Sequence, residues 1–273
     1  MIFTTSVLNN YDKIISEQRE NIMILTIDIG NSNLVAVLYD EQKECIITDR
    51  IPTVRENVSA YYGEWIKKFL NGYQVEGFII SCVVPKITDE VMELFSQELN
   101  CEGLLLTSAL VPEFKVSIDN PVELGSDLIA TAYGALSKYP APIAITDMGS
   151  ANKVSVITKD KVFEGVIISP GIGVSNDAMG LLITHLPKIK LELPKELIGK
   201  DTITCMQSGL LYGVICSMEG LVDRIDKELG YSTKRVLTGG YANIVHTEMN
   251  MEFEPNLLND GLLEIYLQKK AIS

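Results

Sequence analysis

Apolar residues along this chain fall into short continuous runs that alternate with helix-spaced stripes. The stretch ILTIDIGNSN, 24–33, sets Ile24, Leu25 and Ile27 in an apolar strand that ends on Asp28 and runs into Gly30 and small polar residues. Residues 58–70 put Tyr62, Trp65, Ile66 and Phe69 on one face of a helix. A buried strand at 75–81, a helix at 86–98, a short strand at 102–106 and a helix at about 124–138 follow. Strands are then expected at 143–147, 153–158 and 161–168, ahead of a Gly-rich turn, SPGIGVS. A long helix over roughly 201–229 starts near Asp201 and Thr202, which suit its cap. A short strand at 234–237 leads to Thr238-Gly239-Gly240, and a final helix spans about 257–269. Strands and helices alternate throughout, so the class is α/β.

The pattern repeats. Shifted by 119 residues, IDIGNSNLVAVLYD falls on TDMGSANKVSVITK: Asp28 meets Asp147, Gly30 meets Gly149, Asn33 meets Asn152 and Val35 meets Val154. Each copy is an apolar strand, an acid-x-Gly turn, an alternating strand, a charged turn and a third strand. Taken alone, the first copy reads at least as well as a hairpin turn whose Asp28 bonds its own backbone. Two copies in the same context are stronger. They predict two similar α/β halves, 23–138 and 139–273, that face each other across a cleft with a glycine turn and an acid on each side. The pattern resembles that of the actin-like, sugar-kinase-like ATPases, which implies a duplicated ribonuclease-H-like fold around a nucleotide. Residues 1–22 look unlike the rest, and Met23 stands directly before the first strand. They read as an N-terminal appendage or an early start site, without the marks of a signal peptide.

Charge limits the partners. The net charge is −13, which argues against broad binding to nucleic acid or a membrane surface. Any anionic ligand would need local N–H dipoles, a metal ion or a few placed cations. No apolar run approaches the length of a membrane span. Five cysteines at no zinc or redox spacing read as mostly buried, reduced thiols of a cytoplasmic protein. With only His185 and His246, a histidine metal site or a Ser-His-Asp triad is hard to assemble.

Six further stretches make the assignment specific: SCVVP (81–85), NPVELGSDL (120–128), SPGIG (169–173), LPKIKLELPKELIGKDT (186–202), MQSG (206–209) and LTGG (237–240). In this order and at these intervals, from Met23 to about Lys270, the chain closely resembles a type III pantothenate kinase. The resemblance implies ATP-dependent phosphorylation of pantothenate to 4'-phosphopantothenate, the first step toward coenzyme A. It also implies a cytoplasmic homodimer, Mg²⁺, and a monovalent cation, K⁺ or NH₄⁺. On this resemblance Asp28 holds Mg²⁺ through water. Gly30, Asn31, Ser32, Asn33, Gly149, Ser150, Gly239 and Gly240 line the ATP, and Asp147 stands near the monovalent cation. Asp127 matches the general base. Gly125, Ser126 and Leu128 belong to the substrate site, and Thr202 reaches it from the other subunit. By position alone Asp127 reads as a first-turn acid favoured by the helix dipole; the surrounding NPVELGSDL reverses that preference.

The chain departs from the family pattern in two places. Leu128 follows the base aspartate where the family has arginine. Losing a charge-assisted contact to the pantothenate carboxylate typically costs ~1.5–3 kcal/mol. This leaves open a kinase for a related alcohol such as pantetheine, or an inactive paralogue that binds nucleotide as a regulator. The second glycine loop reads Gly149-Ser150-Ala151-Asn152-Lys153 in place of Gly-Thr-Ala-Thr-Thr. Lys153 brings a charge where the family has a hydroxyl, and a solvated strand lysine is the preferred reading over a phosphate contact.

Overall fold

The computed structural model describes residues 23–271; the appendage expected at 1–22 lies outside them. The first half builds a sheet from β1 (Ile24–Ile29), β2 (Asn33–Tyr39), β3 (Cys45–Pro52), β4 (Gly77–Cys82) and β5 (Gly103–Leu105), in the order β3-β2-β1-β4-β5. Its helices are α1 (Val58–Leu70), α2 (Thr88–Leu99) and α3 (Ser126–Lys138). The second half repeats the plan. Strands β6 (Ile143–Met148), β7 (Ala151–Ile157), β8 (Phe163–Pro170), β9 (Lys234–Thr238) and β10 (Glu252–Phe253) run in the order β10-β9-β6-β7-β8. In both sheets the first strand pairs antiparallel with its hairpin partner and parallel with the strand on its other side. The second half adds α4 (Ile172–Leu182), α5 (Thr202–Leu229), α6 (Ala242–Val245) and α7 (Leu257–Lys270).

Alternation along the strands decides the layers. In β1, Leu25, Ile27 and Ile29 face outward to Tyr62, Trp65, Ile66 and Phe95 of α1 and α2. Ile24 of β1 and Ile143 and Ile145 of β6 face inward, to a core shared by the two sheets. Helices α3 and α7 fill that shared layer, with Ile129, Ala132, Leu262 and Ile265 buried between the sheets. The outer face of the second sheet packs on Leu211, Ile215, Met218 and Val222 of α5. The order is therefore helices, sheet, helix pair, sheet, helix. The last helix belongs to the central layer, and Thr26 of β1 donates to its Asn259 Oδ1 at 2.9 Å.

Helix α5 begins as its sequence suggests. Asp201 caps it, accepting from Thr204 N at 3.0 Å, while Thr204 Oγ1 accepts in return from Asp201 N at 3.2 Å. By length and composition α5 is the one described helix apolar enough to cross a membrane, which the sequence's apolar runs did not suggest. Its buried stripe packs on the second sheet as a core helix does.

Two differences from the sequence reading have physical causes. The Gly-rich stretch expected as a turn is mostly helix α4, with Gly171 as its N-cap. Its glycines mark close packing: a Cβ on Gly173 would collide with the Tyr241 ring, and one on Gly180 would lie 3.0 Å from Lys188 N. The second difference concerns the repeat. A shift of 119 residues holds through Asp147, but the glycine loop of the second half is one residue shorter. Gly30 N reaches Asn33 O at 2.9 Å, whereas Gly149 N reaches Ala151 O at 3.2 Å. Past the loop, Asp28 stands opposite Val35 and Asp147 opposite Lys153. Val35 therefore corresponds to Lys153, not to Val154. A one-residue slip in a strand reverses which face each side chain takes.

Candidate active site

Strands β1 and β6 both end at the gap between the halves, where their glycine loops face each other. Ligands of open α/β sheets bind off the carboxyl ends of strands, and this is such a place. The cleft holds about 660 Å³, within the usual range for a small-molecule site. Its walls include Asp28, Gly30, Asn31, Ser32 and Asn33 from the first half, and Asp147, Gly149, Ser150, Gly239 and Gly240 from the second. Asp127 enters from the first turn of α3.

Each loop is fastened to its own half. Thr53 Oγ1 donates to Gly30 O at 2.7 Å, Thr53 N to Ser32 O at 3.0 Å, and Arg55 to Asn31 O at 2.9 Å. In the second half Gly171 N donates to Ser150 O at 3.2 Å. Gly239, at φ 98°, is in the left-handed region, and a Cβ there would stand 2.5 Å from both Asp147 Oδ1 and Met148 N. Only glycine lets this turn lie against the end of β6. The loops meet across the gap through Ser32 Oγ and Ser150 Oγ, 2.7 Å apart.

Asp28 is the costly group. Burial and then the nearby charge of Asp127 push its carboxyl up to about 7, with Asp147 adding to the rise. Ser81 and Lys153 pull the other way. Its Oδ1 is buried with no hydrogen-bond partner among the described residues. An unpaired buried carboxylate oxygen is expensive unless a cation meets it.

Asp127 is held by contacts on both oxygens. Oδ1 accepts from Leu128 N at 2.9 Å and Oδ2 from Lys153 Nζ at 2.6 Å. A Cβ on Gly125 would press on Asp127 Oδ1 at 2.5 Å, so the missing side chain makes room for the carboxylate. Lys153 also pairs with Asp147 Oδ2 at 3.2 Å. The preferred reading of Lys153 as a solvated strand lysine is thus corrected: its side chain is 17% exposed and bridges two acids. Burial pulls its ammonium down, but the Asp147 and Asp127 carboxylates outweigh that and raise it.

Of the other sequence-predicted residues, Gly125, Ser126, Leu128 and Thr202 lie outside the cleft lining. Ser126 Oγ is 3.0 Å from Ser81 Oγ, beneath the site. Leu128 is half-buried against the central core, and Thr202 opens α5 at the surface. The cleft gains Arg50, Thr131 and Asn259, which sequence reasoning missed, and Thr238 of the expected Thr-Gly-Gly turn lines it too. Arg50 crosses from β3 to the opposite wall, where a Cβ on Gly240 would sit 2.9 Å from its guanidinium. Nothing local in the sequence marks Arg50. For Lys153, the loop one residue shorter was the available signal.

Comparison with known proteins agrees with this geometry. Among solved structures, the chain is similar to the (R)-2-hydroxyglutaryl-CoA dehydratase component A of Acidaminococcus fermentans. The TM-score is 0.54 at 15% identity, covering 92% of this chain and 100% of that one. It is also similar to the activator of the 2-hydroxyisocaproyl-CoA dehydratase from Clostridium difficile, solved with bound ADPNP. There the TM-score is 0.50 at 12% identity, over 92% and 98%. At these identities the likeness shows the fold alone, that of the actin-like ATPases. Sequence relatives are nearer. A type III pantothenate kinase of Roseiflexus sp. is 35% identical over 91% of this chain and 100% of its own length. Another, from Exiguobacterium sibiricum, is 34% identical over the same shares. A family model described as type III pantothenate kinase matches residues 24–224. By full-length relatives and a family match that takes in both glycine loops and Asp127, this chain belongs to the type III pantothenate kinases.

Proposed function

We propose that the cleft transfers the γ-phosphoryl group of ATP to the primary hydroxyl of pantothenate, giving 4'-phosphopantothenate for coenzyme A synthesis. The observation that carries this is Asp127, a carboxylate set at a helix start and facing two glycine phosphate loops. Asp127 takes the hydroxyl proton as the oxygen attacks phosphorus and the bond to the ADP oxygen breaks. Backbone N–H groups and the Ser32 and Ser150 hydroxyls hold the phosphates, and Gly239 and Gly240 let the nucleotide approach the backbone.

The residues fit Mg²⁺. Asp28 offers a buried oxygen without a protein partner among the described residues, and Mg²⁺ takes oxygen ligands. Among those residues no cluster of three or more ligating side chains forms a cage. This suits an ion held by one or two carboxylates, water and substrate phosphates. Bound there, Mg²⁺ would offset phosphate charge that the acidic chain otherwise repels. The expected K⁺ or NH₄⁺ does not fit in the same way, because the Lys153 ammonium already stands on Asp147.

Nothing in the cleft favours pantetheine. Leu128 is half-buried against the central core and lies outside the cleft lining. We further propose a homodimer. Leu181, Leu182, Leu197 and Ile198 are each more than 60% exposed, at the end of α4 and in the loop before α5. The Leu197 carbonyl accepts from Ser208, which ties that loop to α5. A second copy covering this surface would also meet Thr202, at the same end of α5. The cysteines are not mostly buried as expected: three of the five free thiols are exposed and two half-buried, and exposed free thiols support a reducing, cytoplasmic setting.

The test is ATP turnover with Mg²⁺, offering pantothenate and pantetheine separately, alongside sedimentation of the same sample. Pantothenate is expected to give the higher kcat/KM, in a dimer. Better turnover of pantetheine would overturn the acceptor assignment, and an active monomer would overturn the shared site.

A further inference from the structure

Two acidic groups of the cleft converge on one ammonium. Asp127 arrives from α3 and Asp147 from β6, and Lys153 Nζ stands 2.6 Å from the first and 3.2 Å from the second. The register of β7 puts it there: Lys153 is the cross-strand neighbour of Asp147, as Val35 is of Asp28. The two halves are otherwise built alike at this point, with the same burial sequence along β2 and β7. The first half thus leaves its acid, Asp28, without a side-chain cation from the adjacent strand, and the second half supplies one.

That ammonium leaves little of the Asp147 carboxylate open to a free ion. Asp147 Oδ2 is already paired with it. Asp147 Oδ1 faces the Gly239 turn, so close that a Cβ there would be 2.5 Å away. A second monovalent cation on this carboxylate would stand almost in contact with a like charge, where repulsion is steepest. A tethered cation also needs no recruitment from solution, and its attachment to β7 fixes its position before substrate arrives.

We infer that Lys153 is the built-in monovalent cation of this active site, occupying the place on Asp147 and Asp127 that K⁺ or NH₄⁺ would otherwise take, so that the enzyme works without either. The inference rests on the kinase reading. In that reaction the ammonium neutralises the carboxylates that face the incoming phosphates. It also fixes the orientation of Asp127, the base that takes the proton of the acceptor hydroxyl.

The experiment compares wild type with Lys153→Ala, which removes the charge and opens space for a free ion. Turnover and the thermal midpoint are measured in tetramethylammonium chloride, then with K⁺ or NH₄⁺ added. Wild-type turnover is expected to change by less than about twofold among these salts, while Lys153→Ala drops by about tenfold or more in tetramethylammonium and recovers saturably with K⁺ or NH₄⁺. The midpoint of Lys153→Ala, and not that of wild type, should rise with those ions. Wild type that depends on K⁺ or NH₄⁺ overturns the inference. So does a Lys153→Ala protein that answers to neither ion in either measurement. If Lys153→Ala does not fold, Lys153→Met keeps the apolar stem, and the wild-type salt response still decides. Wild type that never phosphorylates pantothenate, with ion stabilisation confined to the variant, would sink the kinase reading and uphold the resident cation.

Discussion

Ser32 Oγ and Ser150 Oγ stand 2.7 Å apart, joining the two glycine loops across the cleft. They are the matching hydroxyls of a duplicated element, one from each half. A nucleotide whose phosphates enter between the loops must exchange this contact for contacts to itself. Each hydroxyl then contributes one hydrogen bond to a charged acceptor, worth ~1.5–3 kcal/mol at most. Ser32→Ala and Ser150→Ala are each expected to raise KM for MgATP by about tenfold, with a smaller change in kcat. Steady-state kinetics at saturating pantothenate checks this. An unchanged KM in both variants would mean that the phosphates do not lie between the loops.

Asp127 makes a more severe prediction. Its Oδ2 is paired with Lys153 and its Oδ1 with the Leu128 N–H. Asp127→Asn keeps the shape and loses the base, so turnover should fall by about 10²–10⁴-fold. Binding of MgATP, followed by calorimetry, should change far less. A variant with more than a tenth of wild-type turnover would remove Asp127 from the chemistry.

Much of this site was legible in the sequence because its signals are local. Apolar runs closed by Asp-x-Gly mark the ends of β1 and β6, and Thr238-Gly239-Gly240 marks the end of β9. The capped start of α5 was also readable, since Asp201 and Thr204 act within a single turn. Lys153 was misread because the long stem of a strand lysine usually carries its charge to solvent. The repeat is in phase through Asp147, and a loop one residue shorter then turns the strand over. Arg50 was not legible at all. It lies in a half-exposed strand, and only the approach of the second half makes it part of the cleft. Helix α4 was lost behind glycines that serve packing against Tyr241 and the Lys188 backbone.

Asp28 ties stability to function. Its carboxyl ionises at about 7 in the folded protein, against 3.8 ordinarily. Between those values the folded state holds a proton that the unfolded state has lost, so stability falls as pH rises through this window. Above it the penalty is complete, on the order of a few kcal/mol. Asp28→Asn is therefore expected to melt higher than wild type at pH 8 and to be nearly inactive. Mg²⁺ should raise the wild-type midpoint at pH 8 and leave that of Asp28→Asn unchanged. Thermal melts across pH, with and without Mg²⁺, check both parts. A variant less stable than wild type at pH 8 would mean that Asp28 makes favourable contacts outweighing its burial.

The base depends on a helix crossing about one turn behind the cleft residues Thr131 and Asn259. Asp127 rides on α3, and α3 packs on α7 where Gly134 and Gly261 meet. A Cβ on Gly134 would collide with the Leu257 carbonyl, and one on Gly261 with the Ala130 carbonyl. Both obstacles are backbone, so neither can rotate away as a side chain could. The helix end is pinned as well, by Lys138 Nζ to Glu254 at 2.6 Å and to Asp260 at 2.7 Å. Gly261→Ala must therefore push α3 and α7 apart. Overpacking of this kind typically costs ~1–3 kcal/mol, even though alanine is the better helix former. Urea unfolding should show that loss. Turnover should fall too, because α3 carries Asp127 away from the phosphate loops and small displacements of a reacting group are costly. A variant as stable and as active as wild type would show that the two helices can separate without moving the base.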